Sequence, residues 1–589
     1  MHLCALVGII MKLVHGRLLG VAVLLCVYQL GYGQAFIHLS QPTREQNNVN
    51  NAKQYISGRT CKGCRLQVNG DSVHVYTTGS FAIKQELKTG RTPLVLTATD
   101  ATGKTYTKHI TYYYQPVPPP APTPVFRIDY FTITPQGNLQ LTEGDTLRIR
   151  MKAFPGCQAN WINNAPLQEV TSENGTPGFY EGAYVIKASD SLLNGRIRVS
   201  LRNSNGTTIV KESPQRYSYM PNEGLFTGRT IDNMTYLTVS PHGDRLGPQK
   251  LGYLDEGVLL QISGREGNYY KVRLAAGRFA YIPEPLVDTA TLAEPSPVSI
   301  VNQARVWADE DYDYVSIPLA NKLPYISTQE VRPGRIIVDI FGAYAEAGLQ
   351  SQIGSTLEIQ QVAWQQPEPE VFRTVINLRH AFPWGYKTYY QGDTLTIQVK
   401  RTPDSLQLRH LTIGLDAGHG GSNVGALGPA GVYEKELSLS ITMLLKAALE
   451  KRGATVLTTR TRDQFVANEE RLSYYRRTNP DLLLSIHLNS SINPVDIKGT
   501  ATYYKHPFCE PLARAIYNRM LETGLSGFGC NGDFNFILNN PTEFPDALVE
   551  TLFISNPGDE EKVLDPAFQA AMVEKIIQGL EDYLAAAGQ

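Results

Sequence analysis

Two histidines and two glutamates in the last third of the sequence are the residue types of metal-assisted hydrolysis. His419 follows an apolar run in "LTIGLDAGHGGSNVG", which begins at Leu411, and Gly418, Gly420 and Gly421 around it let the backbone fold sharply. His487 closes the run "DLLLSIHLNSS". Glu434 stands where "GPAGVYEKELS" passes from a glycine-rich loop into a helical pattern. Singly, each has a plainer role, as a hydrogen-bonded strand-end histidine or a carboxylate at a helix dipole. Together, two imidazoles and a carboxylate make a catalytic zinc set that leaves a fourth position for water. Glu550 adds weight, because it interrupts the apolar "DALVETLFISN", where an unpartnered carboxylate is costly to bury. A neighbouring metal-bound water would give it a reason. His410 precedes the first strand too closely to reach its far end, and His506 is expected in a surface turn.

Positioning these residues requires strands alternating with helices. The hydrophobic rhythm predicts strands over 411–415, 454–458, 482–487, 500–504, 535–538 and 547–553, and helices over 434–451, 468–478, 509–523 and 567–586. In the first helix Leu437, Ile441, Leu444, Leu445, Ala448 and Leu449 fall on one face, as packing on a sheet needs. The expected fold of residues 409–587 is an open α/β domain with a largely parallel sheet. Such sheets hold their sites at the carboxyl ends of strands, where His419 and His487 fall and towards which Glu434 can reach back.

The chain ahead of this domain reads as all-β modules. Residues 34–115 alternate in short runs such as "DSVHVYTTG" and "TPLVLTATD", the pattern of an Ig-like sandwich. Residues 116–124, "PVPPPAPTP", are an extended spacer, and 125–219 predict a second β-sandwich. Residues 222–288, which hold "KLGYLDEGVLLQISGREGNYYKVRLAAGRFAYIPEPLV", are similar to bacterial SH3-like wall modules, and 297–401, with "YDYVSIPL", "GRIIVDIFGA", "FRTVINL" and "DTLTIQVK", either resemble an envelope-targeting AMIN-like β-domain or form a plain structural sandwich. Trp384 and Tyr386 could stack on sugars or fill sheet faces.

The 589 residues are enough for several cores, and a formal net charge of -1 gives no bulk attraction to nucleic acid or an anionic membrane. Residues 1–33 read as a secretory signal: Lys12 and Arg17 precede the apolar stretch Leu18 to Leu30, and Gly31, Tyr32 and Gly33 form the cleavage pattern. Translation could begin at Met1 or Met11. No later segment is long and apolar enough to cross a membrane. Cys61 and Cys64 read as a local disulfide or two idle thiols rather than a zinc or redox motif.

Four separated motifs carry a family resemblance: "LDAGHGGSNVGALGPAGVYEKEL", "TRTRDQFVANEERLSYYRRTNPDLLLSIHLNSS", "KGTATYY" and "FPDALVETLFISNPGDEEKVL". In order and spacing they resemble the zinc-dependent N-acetylmuramoyl-L-alanine amidases, over about residues 411–584. The resemblance implies that His419, Glu434 and His487 bind Zn2+ and that Glu550 is the catalytic carboxylate, with Asp416 and Asn489 as supporting residues. Thr551 and Leu552 replace smaller residues often found after the catalytic glutamate. The implied activity is cleavage of the amide between N-acetylmuramic acid and L-alanine by an exported enzyme of the periplasm or cell envelope. Its partner would be peptidoglycan, both glycan strands and stem peptides, with no nucleic acid, while the β-domains would position it on the wall. The alternatives are a zinc carboxypeptidase, in which Arg460, Arg471 or another arginine would hold a substrate carboxylate, and a non-catalytic wall-binding scaffold. Some family members carry a blocking helix after the second zinc histidine. Here "LNSSINPVDIKGTATYY" is too short for one, so the site is expected to be open.

Overall fold

The computed structural model describes residues 34–588 except 173, 191–193, 220–225, 242, 244–248 and 290–296. The expected signal segment, residues 1–33, lies outside the described residues. Among those described, no helix is long and apolar enough to cross a membrane.

Residues 34–115 form two facing sheets, one of three strands and one of five, closed over Ile56, Phe81, Leu94, Leu96 and Ile110. Cys61 and Cys64 are joined in a disulfide. The proline-rich spacer has no regular structure, although Thr123 is already buried and donates to Asp129 at 2.7 Å.

The next modules are less separate than the sequence predicts. Seven strands between Ile128 and Glu212 form one sheet, and Leu139–Leu141 and Tyr217–Tyr219 leave it to join the sheet of the following module. Leu139 pairs with Glu266 and Gln140 with Arg265 across that boundary. Leu139, Leu141 and Tyr217 still pack into the core of residues 128–217, so the borrowed strands supply its second layer. Residues 297–401 form a five-stranded and a four-stranded sheet, and their core is continuous with that of residues 237–282.

Trp384 and Tyr386, each 1% exposed, fill cores and offer no face to a sugar. Trp384 stacks on Tyr583 with ring centroids 5.8 Å apart, and with Phe382 it belongs to the core of the C-terminal domain. That core therefore begins upstream of residue 409. Replacing Trp384 by Ala is expected to cost about 3–5 kcal/mol, the usual loss for a fully buried aromatic. Urea unfolding followed on the C-terminal domain checks this.

The C-terminal domain, its elements numbered from its own first strand, runs β1 Thr412–Ala417, α1 Glu434–Lys451, β2 Thr455–Thr458, α2 Asn468–Thr478, β3 Leu482–Asn489 and β4 Thr500–Tyr503. It continues with α3 Glu510–Leu521, β5 Gly527–Asn531, β6 Asp546–Phe553, α4 Pro557–Val563 and α5 Pro566–Ala587. The sheet order is β2-β1-β3-β6-β4-β5, and every pairing is parallel except β4 with β6.

Three details differ from the sequence reading. Residues 535–538 do not form a strand: Phe534 and Phe536 pack edge-on against Tyr503, and a 3-10 turn follows at Ile537–Asn539. The edge strand is instead the glycine-broken β5, whose residues carry no strand-like alternation. In α1, Leu444 is 41% exposed while Leu437, Ile441, Leu445 and Leu449 are buried, so the apolar stripe is narrower than expected.

Candidate active site

β1 and β3 lie side by side in the middle of the sheet, with β6 on the far side of β3. In this register His487 on β3 is paired directly with Glu550 on β6. Beyond β1 the chain turns at His419, a non-glycine residue at φ 60°. That left-handed conformation costs roughly 1–2 kcal/mol, which the surroundings must offset. The offset is visible in two arginines. Arg471 donates to Asp416 and the Ala417 carbonyl at 2.7 Å each and to the His419 carbonyl at 2.6 Å. Arg460 donates to the Ala417 carbonyl at 2.9 Å and the Gly418 carbonyl at 2.6 Å. Asp416 also accepts from Thr459 and Ser485, which makes it the anchor of the turn.

Two glycines let the side chains converge. A Cβ at Gly418 would lie 2.3–2.5 Å from three ring atoms of His487, and one at Gly425 would lie 2.6 Å from Glu434 Oε2 and 2.8 Å from the His419 ring. With both absent, the imidazoles meet edge to face with centroids 4.9 Å apart.

Glu434, the first residue of α1, lies between them and is buried. Its Oε1 is 3.0 Å from His419 Nε2 and 2.9 Å from His487 Nδ1, and it accepts the Leu488 amide at 3.1 Å. Oε2 accepts the Ala426 amide at 2.9 Å. Burial alone would raise this carboxyl, but hydrogen bonds from both histidines and their charge hold it far below the usual carboxylate range. Burial likewise opposes protonation of His419, and the bond to Glu434 reverses it into a raised value.

The other nitrogen of His419 is fixed by Asn423, a residue the sequence reading did not single out. His419 Nδ1 lies 2.9 Å from Asn423 Oδ1, which the Gly425 amide also approaches at 3.4 Å. With Nδ1 donating to that oxygen, Nε2 is left facing Glu434, to which it donates in the metal-free site and where a bound metal would take the place of its proton. The signal was a side-chain amide four residues after the histidine in the same glycine-rich loop.

Glu550 is different in kind. Its Oε2 is shut off from solvent and has no hydrogen-bond partner. Burial, and then the negative charge of Glu434, hold its carboxyl well above the ordinary range. Such an orphaned acid fits a group that exchanges a proton with something not supplied by the chain. Asn489 lies on this side, its Nδ2 3.4 Å from the Tyr503 hydroxyl. His506, expected in a surface turn, is half-buried, with Nε2 3.0 Å from the Asn540 carbonyl, and belongs to another part of the domain.

The ligand atoms of His419, Glu434 and His487 all lie within 4.8 Å of one another, and among the described residues this is the group able to hold a metal ion. Two neutral-capable imidazoles and an ionised carboxylate suit zinc, and the orphaned Glu550 oxygen beside them suits a metal with an open position.

Residues 413–582 match the family described as N-acetylmuramoyl-L-alanine amidase. The chain is 28% identical over 176 residues to protein YqiI of Bacillus subtilis, covering 29% of this chain and 84% of that one. It is 32% identical over 194 residues to the probable cell wall amidase LytH of Staphylococcus aureus, covering 33% of this chain and 65% of LytH, just under two thirds of that protein's length. Among solved structures it is similar to the N-acetylmuramoyl-L-alanine amidase AmiC2 of Nostoc punctiforme, at 31% identity over 30% of this chain and 97% of that one, with a TM-score of 0.28. The C-terminal domain of this chain belongs to the N-acetylmuramoyl-L-alanine amidase family.

Proposed function

We propose that the chain hydrolyses the amide between N-acetylmuramic acid and the L-alanine of the stem peptide in peptidoglycan, using zinc held by His419, Glu434 and His487. The observation that carries this reading is the three-ligand cluster with the unpartnered Glu550 oxygen on the adjoining strand. Zinc bound there would supply Lewis acidity, acidifying water and polarising the scissile carbonyl. The residues of the chain do the rest. Glu550 Oε2 accepts a proton from the water that attacks the lactoyl carbonyl. As the C–N bond breaks, Glu550 returns that proton to the alanine nitrogen, leaving a lactyl carboxylate on the glycan and a free amine on the peptide. A carboxyl already held high by burial is suited to that double role.

The carboxypeptidase reading loses its two candidate carboxylate clamps. Arg460 and Arg471 are 1% and 3% exposed, and their donors go to Asp416, to the carbonyls of residues 417–419 and to groups of Lys435, Ser438, Arg462 and Val466. A scaffold would have no use for an orphaned acid beside a complete ligand set. Residues 490–499, between β3 and β4, hold turns and no helix, which supports an open site. The same reading places the protein outside the cytoplasm, after export by residues 1–33, with its β-domains on the wall. Digestion of purified sacculi tests the reaction: intact stem peptides with a free L-alanine amine are expected, and release of D-alanine instead would overturn it.

A further inference from the structure

The N-terminal β-domain is far from the C-terminal domain in sequence but lies against it in the fold. It touches the segment that follows each of the three strands bearing site residues. After β1, Arg59 Nη1 donates to the Ala430 carbonyl at 2.7 Å. After β3, Gln41 Nε2 donates to the Ile492 carbonyl at 3.3 Å. After β6, the backbone amide and the hydroxyl of Thr77 both donate to Glu561 Oε1 on α4 at 2.6 Å.

The first contact acts on a ligand loop. Residues 426–434 fold back on themselves: the Gly428 amide bonds the Val432 carbonyl, the Glu434 amide bonds the Ala426 carbonyl, and Glu434 Oε2 accepts the Ala426 amide. The tip of this loop is Ala430. Its amide is gripped by both carboxylate oxygens of Glu560, at 2.8 and 2.9 Å, while its carbonyl is gripped by Arg59. Gly428 and Gly431 admit these two side chains, since a Cβ at either would lie 2.1 Å from Glu560 Oε1 or 2.9 Å from Arg59 Nη1. Glu560 is fully buried, an uncommon setting for a carboxylate unless it holds something. Burial pushes it up to about 8, against the pull of the Ala430 amide, the Ser80 hydroxyl and the Arg59 guanidinium. Two of those three groups come from the N-terminal domain.

We propose that the N-terminal β-domain is a positioning element of the active site, clamping Ala430 between Arg59 and Glu560 so that the loop ending at Glu434 is held in its ligating shape. The inference rests on the reading of Glu434 as a metal ligand. A domain read from sequence as a wall-targeting module thus also sets how well the distant site is formed. Arg59 reaches the loop through the Ala430 carbonyl, so its effect passes through the loop backbone.

The test uses the full chain with Arg59→Ala, Arg59→Lys and Glu561→Ala. Hydrogen–deuterium exchange of residues 426–434 is read in the metal-free protein, zinc affinity by chelator competition, and kcat and KM on a soluble muropeptide. Arg59→Ala is expected to speed exchange of the loop and to lower zinc affinity about fivefold, the worth of one hydrogen bond. It should lower kcat with little change in KM. Arg59→Lys, which keeps a donor, should recover most of both, and Glu561→Ala should move them the same way by loosening the domain contact. Wild-type exchange and zinc affinity in Arg59→Ala and Glu561→Ala would overturn the clamp. So would a loss that Arg59→Lys does not relieve. If the protein proved not to be an amidase, the kinetic arm would fail while exchange and zinc affinity still decided the clamp.

Discussion

Glu550→Gln is expected to keep close to one zinc per chain and to lose activity by a factor on the order of 10² or more, the usual cost of removing a general base. The substitution keeps the shape of the side chain and removes its capacity to take a proton. Zinc content should hold because Glu550 is not one of the three clustered ligands. A second readout separates this residue from a structural one. In the metal-free fold the carboxyl of Glu550 is held above its ordinary value, first by burial and then by Glu434. A carboxyl raised in this way favours the folded state when protonated, so the metal-free wild type loses stability as pH rises from about 4.3, the unfolded value, through the raised one. Glu550→Gln has no proton to lose there. Its metal-free form should therefore hold its stability better than the wild type across that pH range, while being the less active protein. Melting curves of the metal-free proteins between mildly acid and neutral pH, with zinc analysis of the loaded ones, check both halves. A variant that lost zinc as fully as a histidine substitution would show that Glu550 is a ligand.

The sequence made the cluster of His419, Glu434 and His487 easier to read than the architecture. His419, Glu434, His487 and Glu550 are rare residue types in apolar or glycine-rich settings, and their placement follows from one rule, that parallel sheets gather their sites at carboxyl ends. β1, β3 and β6 are long apolar runs, and the structure places them within a residue or two of where the pattern does. What failed was set by tertiary packing. The aromatic stretch at 534–538 has strand-like residues, yet its rings cover Tyr503 from one side, and the edge pairing goes to the glycine-rich β5. The module boundary near residue 220 is blurred because two three-residue strands, Leu139–Leu141 and Tyr217–Tyr219, pair outside their own sheet. Strands so short carry no periodicity to read. Asn423 escaped notice for a similar reason: an asparagine in a glycine-rich loop is ordinary turn chemistry, and only the 2.9 Å approach of His419 Nδ1 distinguishes it.

That contact sets up a graded result for the metal. His419→Ala and His487→Ala each remove one of the three proposed protein ligands, and each should lose both bound zinc and turnover. A chelator should abolish the activity of the wild type, and added zinc should restore it. Asn423→Ala leaves all three ligands in place but frees Nδ1 of His419 to carry either its proton or its lone pair. The ring is then no longer committed to presenting Nε2 towards Glu434, 3.0 Å away. Partners of this kind typically cost 10–100-fold in metal affinity when removed, so Asn423→Ala is expected to fall about that far in chelator competition and to recover activity as zinc is raised. His419→Ala should not recover at any zinc concentration that leaves the protein folded. Asn423→Asp gives the opposite bias, since a carboxylate accepts the same Nδ1 proton more strongly, and its zinc affinity should be at least that of the wild type. If Asn423→Ala bound zinc as tightly as the wild type, the hydrogen bond would be incidental and the left-handed turn at His419, pinned by Arg471 and Arg460, would be enough to aim the ring by itself.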